Sequence, residues 1–169
     1  MKVDLFEVSV GVYVRGLAGF RHVLDKGAAF AERQGIREEE LLAARMYPNM
    51  FPLRRQCQIV CDFAWKTPAR AGGLDLRDEL TGESTLDEIR DRVAETQTFL
   101  RSLKAEQFEG RDEAPITFPL GPQTRTMPAA QYVVGFATPN FYFHYMAAYT
   151  ILRHIGAPLG KRDYFGMPE

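Results

Sequence analysis

The sequence predicts a mainly α protein, an up-down four-helix bundle with a short β-hairpin or extended loop before the last helix. Three observations support this fold class. Apolar residues recur every three or four positions in four long segments. Mostly short loops rich in proline or glycine join these segments. The helical period changes to alternation once, between Ala114 and Met127. A chain of 169 residues suits one domain, and we assign residues 1–169 to it.

The first helix is predicted from about residue 4 to about residue 34. Its apolar stripe consists of Phe6, Val10, Tyr13, Leu17, Phe20 and Leu24. Gly35 lies where a helix C-cap is expected. The valines from Val8 to Val14 also alternate as in a strand, but the stripe continues well past them and therefore favours a helix.

The second long helix is predicted from Pro52, which suits a first helical turn. A short helix from Arg37 to Arg45 precedes it and opens with three glutamates. Apolar and small residues extend the stripe at Leu53, Cys57, Val60 and Ala64. Pro68 should end or kink this helix, because its ring clashes with the carbonyl of Ala64 and it has no N–H to donate.

The third long helix is predicted from a capping box, Thr85 to Glu88. The last helix opens at Pro128 and stops at Gly156, and Pro139 should kink it and free a backbone carbonyl near residue 135. One face of the last helix is predicted to carry Tyr132, Phe136, Asn140, His144, Ala147, Ile151 and His154. The two aromatic residues of the tail, Tyr164 and Phe165, are expected to dock on the bundle.

Charge and composition exclude several classes of protein. A net charge of −1 lacks the global positive field of a nucleic-acid binder. No run of ~18 apolar residues predicts a membrane span. Two cysteines do not suggest a disulfide framework, and the start of the chain lacks the pattern of a signal peptide. We therefore expect a cytoplasmic protein with no nucleic-acid or membrane partner.

The charge is unevenly distributed along the chain. Residues 45–70 carry a net charge of +4, and residues 71–95 carry −5. Arg45, Arg54 and Arg55 are therefore expected to face the acidic third helix across the surface. The alternative is that these arginines bind an anionic ligand near the mouth of a pocket.

A candidate site is predicted where Asn140 and His144 share one helix face beside the proline kink. Aromatic residues around a single imidazole are the usual composition of a small-molecule pocket. The alternative is a core histidine bonded to a backbone carbonyl or to Asp62. Asp62 follows an apolar run, so it must face solvent or pair with a cation, a metal or a histidine.

Two other residue types favour structural roles. Cys57 and Cys61 lie four residues apart inside the apolar stripe, which favours small core side chains over a metal or redox pair. Trp65, the single tryptophan, is expected in the core or in a dimer interface.

Five segments together resemble a bacterial family of unknown function that looks like a branch of the DinB/YfiT-like superfamily. They are Met50 to Leu53, Gln56 to Asp62, Phe118 to Gly121, Pro139 to His144 and Leu159 to Tyr164. The resemblance implies the bundle fold, a homodimer and a pocket between helices. In related branches the pocket holds a divalent metal on three histidines, one from the second helix and two from the fourth, and some branches are thiol-dependent transferases or hydrolases. Here the second helix offers Cys61 or Asp62, and the fourth offers Asn140 and only one imidazole, His144.

The sequence thus predicts a small-molecule-binding bundle whose DinB-like pocket is degenerate. The predicted pocket residues are Asn140, His144, Tyr145, Phe141 and Cys61. The alternative is a metal-dependent hydrolase or thiol transferase acting on a small molecule. In that case a divalent ion (Zn²⁺, Mn²⁺, Mg²⁺ or Ni²⁺) is held by His144, Asp62 and Asn140. A further alternative is a structural dimer with neither ligand nor metal.

Overall fold

The computed structural model describes residues 4–76, 82 and 84–167. Four long helices dominate it: α1 (Val12–Arg33), α3 (Leu53–Gly72), α4 (Leu86–Ser102) and α6 (Thr138–His154). Three short helices are α2 (Glu38–Ala43), α5 (Ala129–Tyr132) and α7 (Lys161–Tyr164). Strands β1 (Pro115–Leu120) and β2 (Gln123–Pro128) form one hairpin. π-Helical turns occur at Glu7–Gly11 and Val133–Ala137, and a 3₁₀ turn at Ala105–Phe108.

The long helices pack as a bundle. Helix α1 contacts α4 and α6, and α3 contacts the same two helices, with its most extensive packing against α6. The apolar stripe predicted for the first helix is buried in the core, with only its first residue, Phe6, partly exposed. The predicted fold class, a mainly α bundle with a hairpin before the last helices, is confirmed.

Two of the predicted helix ends, the end of α1 and the start of α4, are also confirmed. Gly35 adopts a positive φ of 68° just after α1, a conformation that costs little without a Cβ. At the start of α4, the Glu88 N–H donates to Thr85 Oγ1 at 3.2 Å, and the Thr85 N–H donates to Glu88 Oε2 at 3.0 Å. This reciprocal pair is the capping box that the sequence predicts.

Pro68 does not end the second long helix, because α3 continues through it to Gly72. A proline inside a helix typically costs ~3 kcal/mol or more. Here Pro68 and its neighbours Thr67 and Ala69 are all buried. Burial of this segment against the bundle offsets the lost backbone hydrogen bond, and the helix stops only at Gly73, which has a positive φ of 68°.

The segment between α4 and α5 forms the predicted hairpin, with Phe118 opposite Arg125 in the antiparallel register. The Phe118 side chain is buried against the last helix. Its ring centroid lies 4.8 Å from that of Tyr132 and 4.6 Å from that of Phe136. These contacts fix the hairpin on the bundle and make it one wall of the cleft described below.

The last helix runs without a gap from α5 through the π-helical turn into α6. In this turn the Thr138 N–H donates to the carbonyl of Val133, five residues back, so regular α-helical bonding is interrupted just before Pro139. The predicted interruption near this proline is therefore confirmed.

The face predicted for the last helix is only partly right. Of the predicted residues, Tyr132, Ala147 and Ile151 are buried. The other buried residues of this face are Val133, Ala137, Phe141, Tyr145, Ala148 and Leu152. The wider π-helical turn accommodates one extra residue, which rotates the following helix relative to a 3.6-residue period. As a result Asn140 and His144 lie at the edge of the core, and His154 is exposed.

The tail is held by a carboxylate and an aromatic ring. Asp163 accepts hydrogen bonds from Lys26 Nζ at 2.8 Å and from the Gly160 N–H at 2.6 Å, and lies 2.9 Å from His22 Nε2. The Lys26 contact above all holds the pKa of Asp163 well below its usual range. Tyr164 stacks on Tyr145 with ring centroids 4.3 Å apart. The prediction that both tail aromatics dock is wrong for the second one, because Phe165 is 56% exposed.

Among the helices of the described residues, none is both long enough and apolar enough to cross a bilayer.

Candidate functional site

His144 is fixed by Gln56 of α3, a residue that the sequence analysis did not single out. His144 Nδ1 lies 2.7 Å from Gln56 Oε1. The amide Nε2 of Gln56 is committed as a donor to the carbonyl of Phe51 at 3.2 Å. Gln56 Oε1 must therefore accept, which places the imidazole proton on Nδ1 and leaves the lone pair of the neutral ring on Nε2. The sequence signal that could have identified Gln56 is a polar residue directly before Cys57, a member of the apolar stripe.

The imidazole lies in a partly buried aromatic environment. Phe63 stacks on it with ring centroids 6.3 Å apart and an interplanar angle of 16°. Burial, followed by the positive charge of Arg55, lowers the pKa of His144 from 6.5 to about 4. The ring is therefore neutral at pH 7, and it donates its Nδ1–H to Gln56.

The depressed pKa of His144 predicts a pH dependence of stability. Because the folded-state pKa lies below the unfolded value, the unfolded chain binds the proton more readily. The stabilisation is complete above pH 6.5 and is lost as the pH falls toward 4. The loss is on the order of 1–2 kcal/mol after discounting for partial exposure.

Urea unfolding at several pH values measures this effect. His144→Gln should flatten the decline in unfolding free energy between pH 6.5 and pH 4, whereas His154→Gln should keep the wild-type slope. Equal slopes in the wild type and His144→Gln would show that His144 does not cause the pH dependence.

The side-chain amide of Asn140 forms a hydrogen bond with the backbone of the last helix. Its Nδ2 donates to the carbonyl of Phe136 at 2.7 Å, at the end of the π-helical turn. This bond satisfies a backbone acceptor close to the one that Pro139 was predicted to free. Asn140 therefore stabilises the irregular part of the last helix.

The other predicted pocket residues belong to the packed core. Phe141 and Cys61 have no exposed surface, and Tyr145 is 1% exposed. Phe141 packs edge-on against Tyr13 with ring centroids 4.9 Å apart. The hydroxyl of Tyr145 donates to the carbonyl of Tyr164 at 2.6 Å.

Asp62 is buried at 8% exposure and forms an ion pair with Lys66, with Oδ2 and Nζ 3.9 Å apart. A cation is among the partners that the sequence analysis considered for this carboxylate. Of the residues predicted for the metal site, Asp62 lines the cleft described next.

A cleft of about 230 Å³ lies between α3, the end of β1 and the π-helical turn of the last helix. Its lining residues are Arg55, Ile59, Asp62, Phe63, Lys66, Arg70, Phe118, Pro119 and Phe136. The walls thus combine three aromatic rings with three cations and one carboxylate. The volume is below the ~300–1,000 Å³ of a typical drug-sized pocket and suits a small ligand.

Arg70 is held in place at this cleft. Its Nη1 donates to the hydroxyl of Tyr132 at 2.7 Å, and its guanidinium carbon lies 5.7 Å from the centroid of that ring. Burial raises the pKa of Tyr132 above its ordinary value of 10.0, so the phenol stays protonated and accepts through a lone pair.

The helical period explains how α3 builds its side of the cleft. Residues 55, 59, 62, 63, 66 and 70 recur at steps of three or four and therefore share one face. The expectation that Arg55 faces the acidic third helix is wrong, since the opposite wall is the hairpin and the last helix. The anionic-ligand alternative places Arg55 correctly at a pocket.

The described residues fit a resident divalent metal poorly. Within the described ranges, no group of three or more His, Cys, Asp or Glu side chains could hold a metal ion. Of the predicted ligands, Asp62 pairs with Lys66, and Asn140 is held to the backbone carbonyl of Phe136, which leaves Nε2 of His144 as a single imidazole donor. Burial also raises the pKa of Cys57 to about 12, which disfavours a thiolate ligand.

The fold places the chain among DinB-like helical bundles. A crystal structure of a DinB family member protein from Shewanella denitrificans is 34% identical and superposes with a TM-score of 0.84. The match covers 98% of this chain and 94% of that chain. The protein belongs to the family described as a domain of unknown function, DUF1993, whose model matches residues 5–165. No curated protein matches the sequence.

Proposed function

We propose that this protein binds a small molecule in the cleft between α3, the hairpin and the last helix. The observation that carries the proposal is the composition of this cleft, in which charged groups and aromatic rings of three different elements converge. Few, well-placed polar groups on an apolar wall are typical of ligand sites.

The irregular backbone beside the cleft supports the same proposal. The π-helical turn contributes Phe136 to the lining, and π-helical turns often occur at functional sites. The proposed pocket lies between α3, the hairpin and the last helix, and its lining is shifted from the core residues around Phe141 to the adjacent outward face of α3.

Small-molecule binding ranks ahead of the metal-dependent hydrolase or transferase, because no group of three or more His, Cys, Asp or Glu side chains among the described residues could hold a metal ion. Elemental analysis of untagged protein separates the two proposals. We expect less than stoichiometric divalent metal, and stoichiometric metal that disappears in His144→Ala would favour the enzyme. The homodimer and the cytoplasmic location stay predictions from the sequence.

Filling the cleft should abolish ligand binding. Ile59 is partly buried in the cleft wall, and Ile59→Trp places an indole in the space proposed for the ligand. We expect fragments that bind the wild type, detected by ligand-observed NMR, to lose at least tenfold in affinity for Ile59→Trp.

The matched control is Met146→Trp, which adds the same side chain at an exposed position of α6 away from the cleft lining. It should retain binding, and thermal melts should show that both variants are folded. If fragments bind Ile59→Trp as tightly as the wild type, or if no fragment binds the wild type, the proposal is wrong.

A further inference from the structure

We infer that the cleft selects an organic anion, a carboxylate or phosphate attached to a flat apolar body. The inference rests on the proposed function and names the class of ligand that the site would take. It follows from the charge balance of the cleft, from the organisation of its cations and from the nature of its walls.

The cleft has an excess of positive charge although the whole chain has a net charge of −1. Arg55, Lys66 and Arg70 face one carboxylate, Asp62, which gives the lining a net charge of +2. Lys66 Nζ lies 3.9 Å from Asp62 Oδ2, and the two arginines add two further positive charges to the same lining. A cationic ligand would be repelled here, and an anionic ligand would be attracted.

The arginines suit an anion with two or more oxygen atoms. A guanidinium is planar and binds carboxylate or phosphate through paired N–H donors. Arg70 is already oriented by its bond to Tyr132, and Arg55 is oriented by a contact from Nη1 to Gln58 Oε1 at 3.3 Å. Side chains that are ordered before binding lose less entropy when the ligand arrives.

The remaining walls of the cleft are apolar and largely aromatic, which favours a ligand that also has a flat, apolar part. Phe63, Phe118 and Phe136 line the cleft together with Ile59. Phe118 and Phe136 are held against each other with ring centroids 4.6 Å apart, so they form a fixed aromatic surface. A ring placed on this surface would exclude water from the arginine–anion contact and strengthen it.

The limited volume also sets the size of the ligand. About 230 Å³ admits a molecule of one or two rings and excludes a polymer from the interior of the cleft. A nucleic acid or a protein segment is therefore not the occupant that the geometry favours.

Matched probes test the charge requirement. Isothermal titration calorimetry would compare 2-naphthoate and 2-naphthyl phosphate with 2-naphthamide, a neutral analogue of similar shape. We expect at least one anion to bind at least tenfold more tightly than the amide, and the difference between the two anions identifies carboxylate or phosphate as the preferred group. Equal or tighter binding of the amide, or no binding of either anion, would overturn the inference.

Substitutions locate the anion. Arg55→Gln or Arg70→Gln should weaken binding of the preferred anion at least tenfold and leave the affinity for the amide unchanged. Arg54→Gln is the matched control, because Arg54 adjoins Arg55 on α3 but is not in the cleft lining. Arg70 also forms a hydrogen bond with Tyr132, so its replacement could disturb the local structure. Arg55→Gln tests the anion contact without breaking that bond. The inference would be contradicted if Arg55→Gln and Arg70→Gln both lose no more affinity for the anion than Arg54→Gln does.

The two proposals fail in different ways. If the amide and the anions bind equally and Ile59→Trp blocks all three, the cleft is a binding site and only the charge inference is wrong. If the anions bind but Ile59→Trp does not weaken them, the cleft is not their site and both proposals are wrong.

Discussion

Replacing Phe141 with alanine is expected to lower the free energy of unfolding by about 3–5 kcal/mol. The ring is completely buried and packs edge-on against two other rings. Its centroid lies 4.9 Å from that of Tyr13 and 5.0 Å from that of Tyr142. It also fills the space over Gly16, where a Cβ would come within 2.6 Å of the ring. Removing it leaves a cavity between α1 and α6 that the rigid bundle cannot close. Equilibrium unfolding in urea measures the loss.

The control for this substitution lies two residues away on the same helix. Phe143 is 62% exposed, so Phe143→Ala should change the unfolding free energy by less than about 0.5 kcal/mol. Similar effects of the two substitutions would contradict the assignment of Phe141 to the core. They would instead return Phe141 to the wall of an open pocket, where the sequence analysis placed it.

Gly19→Ala is expected to destabilise the protein by about 1–3 kcal/mol and to loosen the C-terminal tail. A Cβ at this position would lie 2.5 Å from the backbone carbonyl oxygen of Tyr164 and 2.8 Å from the hydroxyl of Tyr145. Backbone atoms cannot move aside as the end of a flexible side chain can. The tail must therefore shift away from α1, which weakens the contact of Asp163 with Lys26 as well.

Limited proteolysis and urea unfolding together test this prediction. Gly19→Ala should be cleaved in the tail faster than the wild type, while Gly135→Ala should not, because nothing lies within 4 Å of a Cβ added at Gly135. An alanine at an exposed helical position is expected to be neutral or slightly stabilising. A fully stable Gly19→Ala variant with a protected tail would show that α1 and the tail do not approach closely.

The sequence contained enough local information to predict the bundle. Helical spacing gave the four long segments, and the Thr85–Glu88 capping box placed the start of α4 because both halves of that motif are local. Gly35 marked the end of α1 for the same reason. Pro68 was harder to interpret, since its local cost is visible in the sequence but the burial that offsets it depends on the packed bundle.

The site was predicted only in part, and one structural feature explains most of the difference. The π-helical turn at Val133–Ala137 adds a residue to the face of the last helix, which no period of 3.6 can anticipate. Phe141 and Tyr145 therefore face the core, and His144 lies at its edge. The Gln56 contact depends on tertiary packing of α3 against α6. The spacing of residues 55, 59, 62, 66 and 70 on one face of α3 is present in the sequence, but the packing of the predicted hairpin opposite this face depends on tertiary structure.

The central claim is that the cleft between α3, the hairpin and the last helix binds the ligand. Protein-observed NMR tests this claim most directly. Titration of isotopically labelled protein with 2-naphthoate is predicted to shift the backbone resonances of Ile59, Phe63, Phe118 and Phe136, which surround the cleft. Shifts confined to another surface, such as the Trp65–Phe99 stack between α3 and α4, would contradict the claim.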